Sequence, residues 1–166
     1  MKKHTKAEEA EIIYEAFGLL VKSNKRLSLA ESFTGGLIAS SLIALPGASA
    51  FMHEAVVAYS DAAKTNRLGV PKEAIKQLTA VSADVAYDMA AGLLQDGNAD
   101  VVVATTGYAG PSAPHASLVG ECYIAVGDKT HIHIFKHTFL GGRENIMRCG
   151  MLAALQSLSD LLRAIK

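Results

Sequence analysis

Val101-Val102-Val103-Ala104-Thr105 is the stretch whose reading decides the fold. Four of its five residues are apolar, three are β-branched valines, and nothing polar alternates with them. An unbroken run of this length reads as a strand buried on both faces, because a half-exposed strand would alternate. A strand covered twice requires a layer of helices on each side. The flanking sequence supplies them. Ser82 is an N-cap for a helix over 83–94 that ends near Gly97. After the run come a loop over 107–118 and two strand-like segments, 119–126 and 131–139, flanking Gly127-Asp128-Lys129 as a hairpin connection. A last helix runs from Arg143 to about Arg163, with Ile146, Gly150, Leu155, Leu158 and Leu162 on its inner face.

Toward the N-terminus, Ile12, Ile13, Ala16, Leu19 and Leu20 recur at helical spacing over 7–22. Leu27–Glu31 reads as a first strand, 35–45 as a helix stopping before Pro46-Gly47, and Glu54–Tyr59 as a second strand. Ser60 or Asp61 caps a short helix that ends at Gly69, and Pro71 opens another. The expectation is one domain over 1–166: an α/β three-layer α/β/α sandwich on a mixed, mainly parallel sheet.

Half of the 166 residues are hydrophobic, enough for a sizeable core. Sixteen basic residues balance sixteen acidic ones, so no broad positive field is available for nucleic acid. Zero net charge is compatible with self-association, and a homo-oligomer, a dimer or higher, is expected. The N-terminal segment has a basic start but then acidic residues and no uninterrupted apolar core, so it reads as neither signal peptide nor membrane span. A cytoplasmic protein is expected. Cys122 and Cys149 have no CxxC spacing and read as two reduced thiols.

Chemistry-bearing residues gather in three runs, AESFTGG at 30–36, YSDAAK at 59–64 and TGYAGP at 106–111. Ser32 stands at a strand-to-helix bend, where a hydroxyl is exposed and backbone N–H groups are unpaired. Such N–H groups can hold an anion or an oxyanion. The plain alternative for Ser32 is a helix N-cap. Thr34, Gly35 and Gly36 allow close backbone approach by a ligand, or simply tight packing. A serine nucleophile needs a base, and no Ser-His-Asp pattern is evident. Lys64 is the better base candidate, since burial lowers an amine's pKa; otherwise it is a solvated helix lysine. Tyr59 is a candidate orienting hydroxyl or a core-edge aromatic. Thr106 and Gly107 end the central strand, where ligands of open α/β sheets gather. Arg143 at a helix start opposes the helix dipole, which fits an anionic ligand or a surface ion pair. His131, His133 and His137 share one strand face, yet no further ligand is spaced to complete a metal site. There is no Walker A, GxGxxG or zinc signature.

These runs, with PGAS at 46–49, LGVP at 68–71, AVS at 80–82, Val119-Gly120 and Arg143, resemble the C-terminal domain of the competence/damage-inducible protein CinA, over roughly residues 8–164. That family includes nicotinamide-nucleotide amidases. The resemblance implies an α/β/α fold and deamidation of nicotinamide mononucleotide to nicotinate mononucleotide and ammonia, with no cofactor and no metal. It implies Ser32 as nucleophile and Lys64 as base, with Tyr59, Thr106 and Arg143 in the substrate site. The N–H groups of Phe33, Thr34 and Gly35 would then form the oxyanion hole. The chain departs from the family pattern at Phe33 (usually cysteine), at Asp61 (usually asparagine), and over 112–117, where a glycine-rich stretch is usual. The larger domain often fused ahead of this one is absent from the sequence, which reads as a stand-alone form. Two other readings stay open: a silent nucleotide-binding module of the same fold, and an amidase for another substrate.

Overall fold

The computed structural model describes residues 5–165. The chain runs α1 (Lys6–Ser23), β1 (Leu27–Glu31), α2 (Leu37–Ile43), β2 (Met52–Val57), α3 (Asp61–Leu68), α4 (Lys72–Leu78) and α5 (Ala83–Leu94). It continues through β3 (Val101–Gly107), β4 (Glu121–Asp128), β5 (Ile132–Thr138) and α6 (Arg143–Ala164). The five strands form one sheet in the order β2-β1-β3-β4-β5. β1 pairs parallel with β2 and β3, while β3–β4 and β4–β5 are antiparallel. Four of the five strands therefore point the same way and β4 alone is reversed, so the sheet is mixed, as expected.

The period of two along the central strands sorts the core into two layers. Leu27, Leu29, Val101 and Val103 face α1, α2 and α6. Ala30, Val102 and Ala104 face the other way, toward Val85, Ala86, Met89 and Leu93 of α5 and Leu68 of α3. VVVAT is buried at every position, which is why its sequence shows no alternation. Helix α1 begins with a capping box, Thr5 and Glu8 each accepting from the other's backbone N–H. Two ion pairs, Glu9–Arg148 and Glu15–Arg163, join it to α6.

β2 runs over Met52–Val57, two residues earlier than read from the sequence, and β4 over Glu121–Asp128, two residues later; three further differences have a local cause. Helix α2 starts at Leu37 rather than 35, because Gly35 and Gly36 have φ of 64° and 94°, outside helical space. Pro71 precedes α4 instead of opening it. The hairpin turn lies beyond Asp128, whose Oδ1 accepts from the N–H groups of Thr130 and His131 at 2.7 and 3.0 Å. That Asx-type turn moves the reversal two residues later than Gly127.

The connection leaving β1 enters α2 on one face of the sheet, and the one leaving β2 enters α3 on the other. Loops that part in this way open a crevice at the carboxyl ends of the strands.

Candidate active site

The register places the site. Glu31 at the end of β1 lies beside Thr105 of β3 and Val57 of β2. The Ser32 N–H donates to the Thr105 carbonyl at 3.0 Å, and the Ala58 N–H donates to the Glu31 carbonyl at 2.9 Å. Three loops are thus pinned together just beyond the sheet. Between them lies a cleft of about 250 Å³, lined among others by Ser32, Tyr59, Lys64, Thr106, Gly110 and Arg143.

Lys64 sits in α3 with its side chain turned inward, only 2% exposed. Its Nζ donates to Ser32 Oγ at 3.0 Å, to the Ala58 carbonyl at 3.0 Å and to the Tyr59 carbonyl at 3.4 Å. Burial pushes the Lys64 pKa below the ordinary lysine value, against the opposing field of Asp61. The neutral amine has two N–H donors and one lone pair. Two carbonyls fix the two donors, so the lone pair faces the Ser32 hydroxyl. This is the hydrogen-bond arrangement of a nucleophile and its base.

Ser32 does not cap α2. The cap comes from Glu31, 1% exposed, whose carboxylate accepts from the N–H groups of Gly36, Ile38 and Ala39 at 3.0, 3.2 and 2.8 Å. A strand residue thus satisfies the orphan donors of the helix and frees Ser32 for other work.

The oxyanion candidates are fewer than the sequence reading gave. The Gly35 N–H donates to the Ser32 carbonyl at 3.2 Å and is therefore engaged. The N–H groups of Phe33 and Thr34 make no hydrogen bond among the described residues. Thr34 is fully buried with its hydroxyl on Thr105 Oγ1 at 2.8 Å, so that hydroxyl points away from the cleft. Gly35 and Gly36 shape the bend and do not line the cleft.

Tyr59 also differs from its expected placement. Its ring is 62% exposed, and its hydroxyl accepts from Arg143 Nη2 at 3.0 Å instead of facing Ser32. Arg143 Nη1 donates to the Gly110 carbonyl at 2.6 Å. Arg143 is thereby oriented by neutral acceptors, with no carboxylate among its hydrogen-bond partners in the described residues. It is the first residue of α6, whose N-cap Gly142 gives no side-chain cap. A guanidinium held by neutral acceptors at the rim of a cleft keeps its charge available for an anion. Thr106 lines the cleft with its hydroxyl donating to the Ala80 carbonyl at 2.6 Å, which leaves its oxygen able only to accept.

The CinA C-terminal domain model matches residues 9–162. The chain belongs to the CinA C-terminal domain family. It is 40% identical over 141 residues to a putative competence-damage inducible protein of Caldicellulosiruptor saccharolyticus, covering 84% of this chain and 34% of that one. It is 40% identical over 160 residues to a CinA-like protein of Geotalea daltonii, covering 95% of this chain and 39% of that one. The chain thus spans little more than a third of the length of these curated relatives. Among solved structures, the CinA superfamily protein of Klebsiella pneumoniae superposes with a TM-score of 0.89 at 30% identity, over 94% of this chain and 98% of that one. The competence/damage inducible protein of Agrobacterium tumefaciens does so with a TM-score of 0.89 at 31% identity, over 97% and 99%.

In this CinA domain the side chain of Phe33 leads into the core. The ring is buried with Ala109, Phe139 and Ile146. A Cβ at Gly150 of α6 would stand 2.2 Å from Phe33 Cζ. The bulky residue at 33 and the bare position at 150 therefore form a matched pair. Gly150→Ala should cost about 1–3 kcal/mol by overpacking. Phe33→Ala in the same chain should recover part of that loss, giving a favourable coupling in chemical denaturation. Additive losses would mean that the ring does not meet α6.

Among the described residues, His131, His133 and His137 do not fall into a group of three ligands close enough to share an ion. His131 and His133 are exposed and stack edge to face at 4.4 Å, while His137 stacks on Phe139. Among the described residues, the group close enough to share an ion is His53, Glu54 and Asp96, at the opposite end of β2 from the cleft. Among the described residues no helix is long and apolar enough to cross a membrane.

Proposed function

We propose that this domain is a serine amidase that deamidates nicotinamide mononucleotide. The observation carrying the reading is the buried Lys64 amine 3.0 Å from Ser32 Oγ, with its other two bonds fixed on carbonyls. Ser32 Oγ attacks the carboxamide carbon while Lys64 takes the hydroxyl proton. The oxyanion that develops is received by the free N–H groups of Phe33 and Thr34. Lys64 returns the proton to the amide nitrogen, the C–N bond breaks, and ammonia leaves an acyl ester on Ser32. A water molecule, deprotonated by the same amine, attacks that ester. As the ester bond breaks, Lys64 passes the water's proton to Ser32 Oγ, nicotinate mononucleotide departs, and the hydroxyl and the free amine are restored.

Arg143 and the start of α6 hold the phosphate in this reading, while Tyr59 keeps the guanidinium in place. Uniform binding of the phosphate predicts that Arg143→Ala raises KM about tenfold with a smaller change in kcat. Nicotinamide riboside, which lacks the phosphate, should be a poor substrate for the native domain and should lose little more in the variant. Steady-state ammonia release from the two compounds tests this. Equal KM for the mononucleotide in native and variant protein would remove Arg143 from the site and the phosphate from the reading. Family membership supports the substrate class. The cleft also remains open despite Phe33, whose ring goes into the core. That speaks against a silent module.

A further inference from the structure

The cleft carries a charge of opposite sign to Arg143. Asp61, the first residue of α3, lines it. The side chain is exposed, and its carboxylate has no hydrogen bond or ion pair among the described residues. It stands three residues before Lys64 in the same helix, and residues at that spacing are neighbours on the helix surface. Its field reaches Lys64, opposing the effect of burial there. Asp61 therefore brings its negative charge to the cleft from the same helix as the base Lys64, one turn before it. Lys64, Lys72 and Lys76 are the cations nearby, and none of them makes an ion pair with Asp61 among the described residues. Lys64 directs its three donors to Ser32, Ala58 and Tyr59. Lys72 and Lys76 border a neighbouring hollow that Asp61 shares, and Lys76 is paired with Glu73 at 3.1 Å.

A ligand in the cleft thus meets a cation, Arg143, and a carboxylate, Asp61. When Lys64 is neutral, as its role as a base requires, the carboxylate loses that counter-charge. We propose that Asp61 is a specificity-determining residue that selects a ligand whose ring beside the scissile amide is positively charged. The site would prefer the oxidised pyridinium nucleotide to its neutral dihydropyridine form. This rests on the deamidase reading and adds to it the charge state of the ring. An asparagine in its place could offer the ring a dipole but no net charge.

The two forms of nicotinamide mononucleotide, oxidised and reduced, share the phosphate and the ribose. Their affinities can be compared by calorimetry in a Ser32→Ala background, which prevents turnover. The oxidised form should bind on the order of twofold to fivefold more tightly, the range of an exposed ion pair. Asp61→Asn should bring the ratio close to one, and Asp61→Glu should restore most of it. A purely structural role for Asp61 would weaken both forms equally and leave the ratio unchanged. An unchanged ratio in Asp61→Asn overturns the proposal, as does equal binding of the two forms before that substitution. In either case the deamidase reading stands, because it needs only that the oxidised form binds. Binding of neither form overturns the deamidase reading, and the proposal with it.

Discussion

Ser32→Ala and Lys64→Ala should each lower kcat for ammonia release by on the order of a thousandfold or more, judged from other nucleophile–base pairs. The double variant should be little worse than either single one, because both side chains serve one step. Ser32→Ala removes one oxygen and keeps the bend, since the carbonyl and N–H of residue 32 carry the local bonds to Gly35 and Thr105. Lys64→Ala leaves the hydroxyl in place without a base. The same pair sets the pH dependence. Lys64 acts only as the free amine, so kcat/KM should fall as pH drops through its pKa in the folded protein. Burial places that pKa below the ordinary lysine value, so activity should persist to lower pH than a solvent-exposed lysine would allow. A Ser32→Ala protein that releases ammonia at the native rate would rule out the serine mechanism. Losses that multiply in the double variant would mean that the two groups act in separate steps.

The largest stability effect is expected at Glu31. Its buried carboxylate accepts three backbone N–H groups at the start of α2. Glu31→Ala would leave those donors buried without partners and would open a cavity beside them. The unmet desolvation alone is about 1–3 kcal/mol for each group left unpaired. Relaxation and entering water should reduce the total to about 3–5 kcal/mol, the range seen when a buried charged partner is deleted. Glu31→Gln keeps one acceptor oxygen and should cost less. The loss should reach the chemistry too, because Glu31 ends the strand that positions Ser32 and orders the loop after it. Denaturant unfolding of the two variants checks this. A Glu31→Ala protein as stable as the native one would mean that the start of α2 is capped by other means.

The fold was legible wherever burial left a periodic or unbroken trace. VVVAT read as a doubly covered strand because both faces of β3 are packed, and Ser82 marked the start of α5 because an N-cap is a local signal. The start of α2 was not legible. Capping rules look for a side chain at the cap itself, whereas Gly36 occupies that position and the carboxylate comes from β1. The hairpin misled in a similar way. Gly127 looked like a turn residue, yet it lies within β4, where a Cβ would stand 2.4 Å from the His131 carbonyl. It is there for close approach, and Asp128 makes the turn. In the site, the Ser32–Lys64 pair was foreseeable from strand ends brought to one edge of a sheet. The place of Tyr59 was not. Its hydroxyl belongs with Arg143, 84 residues further on, and only the carbonyl of Tyr59 reaches Lys64.

The most direct test of the central claim is the fate of nicotinamide mononucleotide incubated with the purified protein. The account predicts ammonia and nicotinate mononucleotide in equal amounts, rising with time and with protein concentration. Nucleotide that binds in the cleft but is recovered intact would contradict it.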